Sequence, residues 1–491
     1  MHIRKLPLVL TIDIGSSSVR ALLFDGDGNV VPGTLARLAQ EPRLSADGGA
    51  EDDAHTLLER VASCVDQTLQ LAGAAATQIA AVALACFAPT LLGVDLQQRP
   101  VTPLYLYAET RSAPAAAMLR SNHDEQTVLQ RTGCPLRANY WPARLLWLRQ
   151  TQPEQVRNVA CWYGFSDYLF ANWFGTASSS TSIAAWTGLL NRQALTWDAT
   201  WLAELELAPK HLPILTDAQT PISGLRQVWA ERWPQLAHIP WFPAIGDGAA
   251  ANLGCGGIGP NRLTITIGTS AAIRAVLPEV PHVPWGLWCY RVDQRRALLG
   301  GATSEGGNVF AWLRETLNLS DLTNLDQQLA NRQPDSHGLT FVPLLAGERS
   351  PGWNEEATAS IIGLRRSTTP LDIVQAGLEA VAYRLAQIDR LLAPHLAPHH
   401  HYIATGGALA NSVAWSQMLA DAFNEPLIVA DIDEATSRGS ALLALEALGS
   451  LKIDTLPLPT GRYHEPNAEH HQRYAAAIER QQRLYQTIIN L

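Results

Sequence analysis

An α/β chain of two related halves, with an active-site cleft between them, is what three observations in this 491-residue sequence predict. The first is a strand–turn–strand signal near the N-terminus: apolar Leu8 to Ile12, then Asp13, Gly15, Ser16, Ser17, Ser18 and Arg20. The second is a similar signal about half a chain later, where Leu263 to Ile267 lead into Gly268, Thr269, Ser270 and, further on, Arg274. The third is that the second half repeats the order of strands and helices found in the first. Two glycine turns rich in hydroxyls and facing each other would hold a nucleotide polyphosphate from both sides, which points to ATP chemistry.

The elements follow in order. Residues 8–12, 19–24 and 30–35 read as three successive strands, with a hairpin at Asp25-Gly26-Asp27-Gly28-Asn29. Leu57, Leu58, Val61, Val65 and Leu69 recur at helical spacing and predict a helix over 52–72; Ile79 to Leu84 reads as a buried strand. This alternation describes a central sheet covered by helices. In the second half, strands are expected at 263–267, 271–277 and 296–299, and helices near 303–317 and 370–393. A strand at 402–404, a glycine turn at Gly406-Gly407 and a helix from Asn411 to Asn424 come next. The Pro-rich run from Pro234 to Pro243 reads as the approach to the boundary, giving domains of residues 1–246 and 247–491. Asn467 to Asn490 reads as a closing helix.

Composition narrows the class. The chain is too long for one hydrophobic core and suits two large domains. With 47% apolar and 16% charged residues it reads as a soluble globular protein. A formal charge of −9 disfavours a broad nucleic-acid interface, while leaving room for one or two arginines to hold a small anion. No uncharged stretch approaches the roughly 18 residues of a membrane span, and the N-terminus shows no signal-peptide pattern. Six cysteines (Cys64, Cys86, Cys134, Cys161, Cys255 and Cys289) lack CxxC spacing, which argues against a zinc site or disulfide framework. A cytoplasmic enzyme is the expectation.

Two carboxylates carry the chemistry. Asp13 ends a strand beside a turn suited to phosphate, and would repel phosphate unless a cation stood between them, so it is expected to face Mg²⁺. The alternative is an ordinary hairpin with a solvated Asp. Asp247 stands in Gly246-Asp247-Gly248-Ala249, at an expected strand-to-helix junction, where the glycines leave space for a substrate hydroxyl to reach it. By position alone, a helix N-cap accounts for it as well.

Together these segments resemble the FGGY family of carbohydrate kinases, within the sugar kinase, Hsp70 and actin superfamily, over essentially the whole length. The resemblance rests on Asp13 to Arg20, Gly246-Asp247-Gly248, and Thr266-Ile267-Gly268-Thr269-Ser270. It extends to Ala359 to Leu364 with Asp372 to Glu379, which departs from a family signature at Gly377, and to Thr405 to Asn411. It implies two ribonuclease-H-like domains with ATP and sugar meeting between them. By the resemblance, Asp247 is the general base and shares Mg²⁺ with Asp13. Gly15, Ser16, Ser17, Arg20, Gly268 and Thr269 hold phosphates, and Gly406, Gly407 and Asn411 border adenosine. No GxxxxGK[ST] motif is present, so the chain is not a P-loop enzyme.

Within the family the chain looks most similar to the gluconate kinase-like branch, through Arg131 to Pro135, Tyr140 to Trp147 and Gly347 to Trp353. The acceptor side departs from the pattern. Relatives commonly place a His after the strand at 79–84; here the run is Cys86-Phe87-Ala88-Pro89-Thr90. Tyr107-Ala108-Glu109-Thr110-Arg111 stands for a Trp-Ala-Asp-Thr-Arg run, and Arg137 stands where relatives often carry His. Phe87, Glu109, Arg137, Trp186 and Asp247 are the expected substrate contacts. Arg137 would suit the carboxylate of a sugar acid, against the simpler reading of an exposed surface arginine. The departures spare the phosphate machinery, so altered substrate preference is the simplest account.

The expected activity is phosphorylation of gluconate or a related sugar acid. A pentulose, other ketose or polyol is the alternative within the class, and a pseudokinase or actin-like ATPase sensor the alternative outside it. A homodimer is compatible with all three. His395 with His399-His400-His401, and His464 with His470-His471, are read as solvated loops rather than metal sites. Trp141, Trp147, Trp162 and Trp173 read as core or interdomain packing.

Overall fold

The computed structural model describes residues 5–280, 282–319 and 324–489. Two sheets dominate it. The first contains β1 (Leu8–Ile14), β2 (Ser18–Phe24), β3 (Ala36–Ala39), β4 (Ile79–Cys86) and β5 (Trp241–Gly246), in the spatial order β5-β4-β1-β2-β3. The second contains β6 (Arg262–Ile267), β7 (Ala271–Leu277), β8 (Trp288–Arg291), β9 (Ala297–Thr303), β10 (His401–Thr405), β11 (Leu427–Ala430) and β12 (Gly461–His464), in the order β8-β9-β7-β6-β10-β11-β12. In each sheet three strands run as an antiparallel meander, then two more join in parallel beside the first. The strand order 3-2-1-4-5 is therefore present twice.

Helices cover both sheets: α1 (Ala54–Ala72), α2 (Phe165–Phe174), α3 (Thr181–Trp186), α4 (Asp247–Gly254), α5 (Gly307–Thr316), α6 (Pro370–Leu392), α7 (Val413–Phe423), α8 (Ala435–Ala447) and α9 (Ala468–Ile488). Every residue of β1 is buried, because both faces of the strand are covered. Leu8, Leu10, Ile12 and Ile14 pack with Leu57, Leu58, Val61 and Val65 of α1. On the opposite face Val9, Leu22 and Phe24 pack with Ala441, Ala444 and Leu445 of α8. A helix from late in the chain thus closes the first sheet. It crosses α4 at a glycine pair: a Cβ at Gly254 would collide with Ala435 O, and one at Gly439 with Ala250 O. The second sheet rests on α6, whose start is fixed by Thr369 and Asp372 in a reciprocal cap.

Several expectations are corrected. The third strand lies at Ala36–Ala39, not 30–35. Pro32 supplies no ladder donor and Gly33 takes a φ of 78°, so the chain turns there. The helix expected from 303 begins at Gly307, because β9 runs on to Thr303. The helix expected from Asn411 begins at Val413, where Ser412 caps it by accepting from Trp415 N. The closing helix ends at Ile488, and Asn490 lies outside the described residues. Strands β8, β11 and β12 were not expected, and the Pro234–Pro243 run ends inside edge strand β5, which tolerates Pro243 at a register shift. The second histidine group is not a solvated loop: His464 is buried, His470 Nδ1 lies 2.8 Å from Asp421 Oδ2, and His471 Nδ1 lies 3.0 Å from Asp421 O. Among the described residues, no helix is long and apolar enough to cross a membrane.

Candidate active site

Two cavities meet at the turn between β6 and β7. The first, about 490 Å³, is bounded by Ser16, Phe87, Tyr107, Trp186, Asp247 and Ser270, among others. The second, about 660 Å³, is bounded by Gly268, Thr269, Gly407 and Asn411, with Phe310, Leu329 and Trp415 as an apolar wall.

The β1–β2 turn is closed by Gly15 N donating to Ser18 O at 3.0 Å, leaving Ser16 and Ser17 exposed. The β6–β7 turn is one residue tighter, Gly268 N donating to Ser270 O at 3.0 Å. Two donors at the start of α5 hold this second turn: Gly307 N bonds Gly268 O at 2.7 Å and Asn308 N bonds Thr269 O at 3.1 Å. A Cβ at Gly268 would meet nothing within 4 Å, and one at Gly407 only Asn411 Nδ2 at 4.0 Å. Neither glycine has a positive φ. Protein packing therefore does not demand glycine at either place, and the open space suits a close-lying ligand. Gly406 differs: its φ is 101° and a Cβ there would collide with Ile267 O, so glycine lets the turn after β10 lie against the end of β6.

Asp13 is 4% exposed, and burial pushes its carboxyl up to about 7, opposed by Arg20 and reinforced by Asp247 and Glu434. Arg20 is its cross-strand neighbour on β2, with Nη1 3.5 Å from Asp13 Oδ2 and 3.2 Å from Glu434 Oε2. Glu434 immediately precedes α8, so this contact ties the late helix to the first turn.

Asp247 is the first residue of α4 and Gly246 takes the N-cap position, so Asp247 is not the cap. Its Oδ1 accepts from Gly248 N at 2.7 Å. Burial raises its carboxyl to about 6, with the Gly248 N–H and the Arg274 guanidinium opposing. The space left by the flanking glycines is filled by Trp186: a Cβ at Gly246 would collide with the indole, and one at Gly248 would come within 3.0 Å of it. Trp186 closes helix α3. It stacks on Tyr290 at 3.9 Å between ring centres, and Tyr290 OH meets Tyr140 OH at 2.6 Å.

The cavity thus brings together Ser16, Phe87, Trp186 and Asp247 from the expected set. Two expected substrate contacts stand outside its lining. The buried Glu109 carboxylate accepts from Ala50 N and from the backbone and guanidinium of Arg111. Arg137 is 5% exposed, so it is neither a surface arginine nor part of this cavity: it pairs with Glu125 at 2.7 Å and stacks on Trp353. Both border a smaller neighbouring cavity of about 270 Å³. Sequence reading gave no role to Arg274, Arg349, Tyr107, Tyr290 and Glu434. Period-two alternation along β7 would have carried the reading from Ala272 to Arg274 on one face. Nothing local marks Glu434, which meets Arg20 only through the return of α8.

The site's acidic oxygens, Asp13 and Asp247, fit a hard divalent cation of the Mg²⁺ kind, which takes one or two carboxylates and completes its shell with water and phosphate. A tighter triad, Asp335, His337 and Glu379, lies in the second half. There Leu339 N donates to His337 Nδ1, so Nε2 carries the proton and donates to Glu379 at 2.9 Å. Asp335 is paired with Arg480 at 3.0 Å, so the triad is internally satisfied without a cation.

Duplicated sheets with a shared glycine turn between two cavities define a two-domain sugar-kinase fold. Residues 8–254 match the FGGY family of carbohydrate kinases, N-terminal domain, and residues 263–448 match the C-terminal domain of that family. The chain belongs to the FGGY family of carbohydrate kinases. It is 27% identical over 469 residues to the gluconokinase of Bacillus subtilis, covering 91% of this chain and 88% of that one. Among solved structures, it is similar to xylulose kinase from Lactobacillus acidophilus (24% identity, TM-score 0.92, 99% of each chain). It is also similar to gluconate kinase from the same organism (24% identity, TM-score 0.90, 98% of each chain).

Proposed function

We propose that the protein transfers the γ-phosphoryl group of ATP to a hydroxyl of gluconate or a closely related sugar acid. One observation carries the reading: a half-buried carboxylate, Asp247, lies at the edge of a tryptophan-walled cavity that ends at both glycine–hydroxyl turns. The alternative acceptor is a ketose such as xylulose, favoured by the likeness to a xylulose kinase.

In this reading residues 1–246 form the acceptor side and residues 247–491 the nucleotide side. The apolar second cavity takes the adenosine, with Gly406, Gly407 and Asn411 at its rim. Gly15, Ser16, Ser17, Arg20, Gly268 and Thr269 hold the phosphates through backbone N–H groups, hydroxyls and one guanidinium. Asp13 and Asp247 would hold Mg²⁺, which when bound neutralises phosphate charge. Asp247 Oδ accepts the proton of the attacking hydroxyl, and its elevated pKa sets that proton transfer near neutral pH. Positioning and charge neutralisation supply the rest of the rate. Function in the cytoplasm, where ATP is at hand, accords with it.

The test is coupled ADP release with Mg-ATP across aldonates, ketopentoses, ketohexoses, polyols and glycerol, with Asp247→Ala as control. A signal from an aldonate that vanishes in the variant supports the reading. A signal that persists removes Asp247 as the base, and silence across the panel with intact ATP binding favours a nucleotide sensor.

A further inference from the structure

Arg274 and Arg349 border the acceptor cavity, and neither forms an ion pair within 4 Å of a carboxylate among the described residues. The other arginines near the site are already engaged. Arg20 pairs with Asp13 and Glu434, Arg111 with Glu109 and Glu51, and Arg137 with Glu125. Arg349 stands 5.9 Å from the ring centre of Tyr107, while its chain neighbour Glu348 turns away into a buried pairing with Arg384 and Tyr485. Arg274 Nε is buried and has no hydrogen-bond partner among the described residues.

The fold makes room for Arg274. It lies opposite Gly300 in the β7–β9 ladder, where a Cβ would come within 3.1 Å of Arg274 Cγ and 2.8 Å of Trp288 Cη2. Glycine at 300 opens a lane in which the arginine stem and the indole lie side by side. Burial disfavours Arg274's charge and the Arg349 guanidinium opposes it as well, while the Asp247 carboxylate offsets only part of this. A half-buried cation whose Nε is buried without a partner, beside a second cation and with no carboxylate within 4 Å, gains from an anion that completes it.

We propose that Arg274 and Arg349 form the carboxylate clamp of the acceptor site, so that the substrate class is a polyhydroxy acid and not a neutral ketose or polyol. The inference rests on reading the first cavity as the acceptor pocket. Asp247 acts electrostatically on both Asp13 and Arg274. Arg274 Nε lies 3.9 Å from where a Cβ on Gly248 would stand, so the clamp holds the acid beside Asp247.

The test compares ligands that differ only in charge: gluconate against glucitol, and galactonate against galactitol. Binding to the whole protein is measured by calorimetry, and kcat and KM by ADP release, for wild type, Arg274→Met, Arg349→Met and Arg274→Lys. The expected result is acid binding in wild type that weakens about 100-fold in Arg274→Met, as for truncation of one member of a buried charge pair. Polyol binding and the KM for Mg-ATP should change less than about threefold, and Arg274→Lys should recover part of the loss. Equal losses for acid and polyol, or no loss for the acid, overturn the clamp. So does a wild type with no preference for the acid. Acid binding that depends on Arg274 in a protein that phosphorylates neither ligand would retain the clamp and reject the kinase reading. Turnover of neutral sugars alone would do the reverse.

Discussion

The indole of Trp186 lies so close over Gly246 that a Cβ at that position would collide with its Nε1. The glycine before Asp247 is therefore a seat for an aromatic wall, and the wall continues through Tyr290 to Tyr140. Because Gly246 also ends β5 and caps α4, the position of the Asp247 carboxylate and that of the wall are set by one residue. Gly246→Ala should displace Trp186 while leaving both sheets intact. The expected result is a fall of at least about tenfold in kcat/KM for the best acceptor, since small misplacement at a reacting centre is costly. A shift of tryptophan emission with unchanged far-ultraviolet circular dichroism would report the displacement. Full activity would show that Trp186 is not a wall of the acceptor site.

The pH dependence of turnover follows from Asp247. A general base works only when deprotonated, and burial raises this carboxyl to about 6. Activity at saturating Mg-ATP should therefore fall on acidification, with a midpoint at or below about 6, because a bound Mg²⁺ would favour the ionised carboxylate. The measurement is kcat/KM for the acceptor from pH 5 to pH 8.5. A profile that falls as pH rises from 5 to 7 would mean that Asp247 is not the base.

Much of this architecture is legible in the sequence because its signals are local. The turns at Gly15 and Gly268 are flanked by apolar runs that lie next to them in the chain, and α1 announces itself by spacing from Leu57 to Leu69. The junction at Asp247 is readable for the same reason. What escapes are relations that only the folded chain creates. Glu434 meets Arg20 because α8 returns across the first sheet, and no sequence neighbour of either residue hints at it. Glu109 looks like a substrate ligand by its place in a run, yet Arg111 and the Ala50 N–H satisfy it. Arg137 looks exposed because arginines usually are, yet Trp353 and Glu125 enclose it. The shifted third strand has a local cause, Pro32-Gly33, which an apolar count passes over.

The crossing of α4 and α8 offers a separate test. Gly254 and Gly439 let the two helices touch backbone to backbone, so a single added methyl at either has nowhere to go. Gly439→Ala should destabilise the protein by on the order of 3 kcal/mol or more, within the range of severe overpacking. The same change should reduce activity, because α8 carries Thr436 into the acceptor cavity and begins beside Glu434. Thermal unfolding of Gly439→Ala and of exposed Gly449→Ala separates this from a general effect of removing glycine. Gly449 takes a φ of 74°, so its own substitution costs only backbone strain of about 1 kcal/mol. Similar unfolding temperatures for the two variants would show that the helices do not rely on this close approach.

Asp167 predicts how stability itself should vary with pH. It sits in the first turn of α2, accepts from Gly164 N at 2.7 Å, and burial raises its carboxyl to about 7. In the unfolded chain an Asp titrates near about 3.9. Between those values the folded protein holds a proton that the unfolded chain has released, so stability falls as pH rises from about 4 to about 7 and changes little above that. Glu305, raised to about 7 by burial, acts in the same direction. Asp167→Asn keeps an acceptor for Gly164 N and removes the charge that must otherwise be buried. Its unfolding temperature relative to wild type should therefore rise between pH 5 and pH 8, by on the order of a few degrees. An equal difference at both pH values would show that Asp167 titrates normally in the folded protein, and that its burial is relieved by a partner such as water.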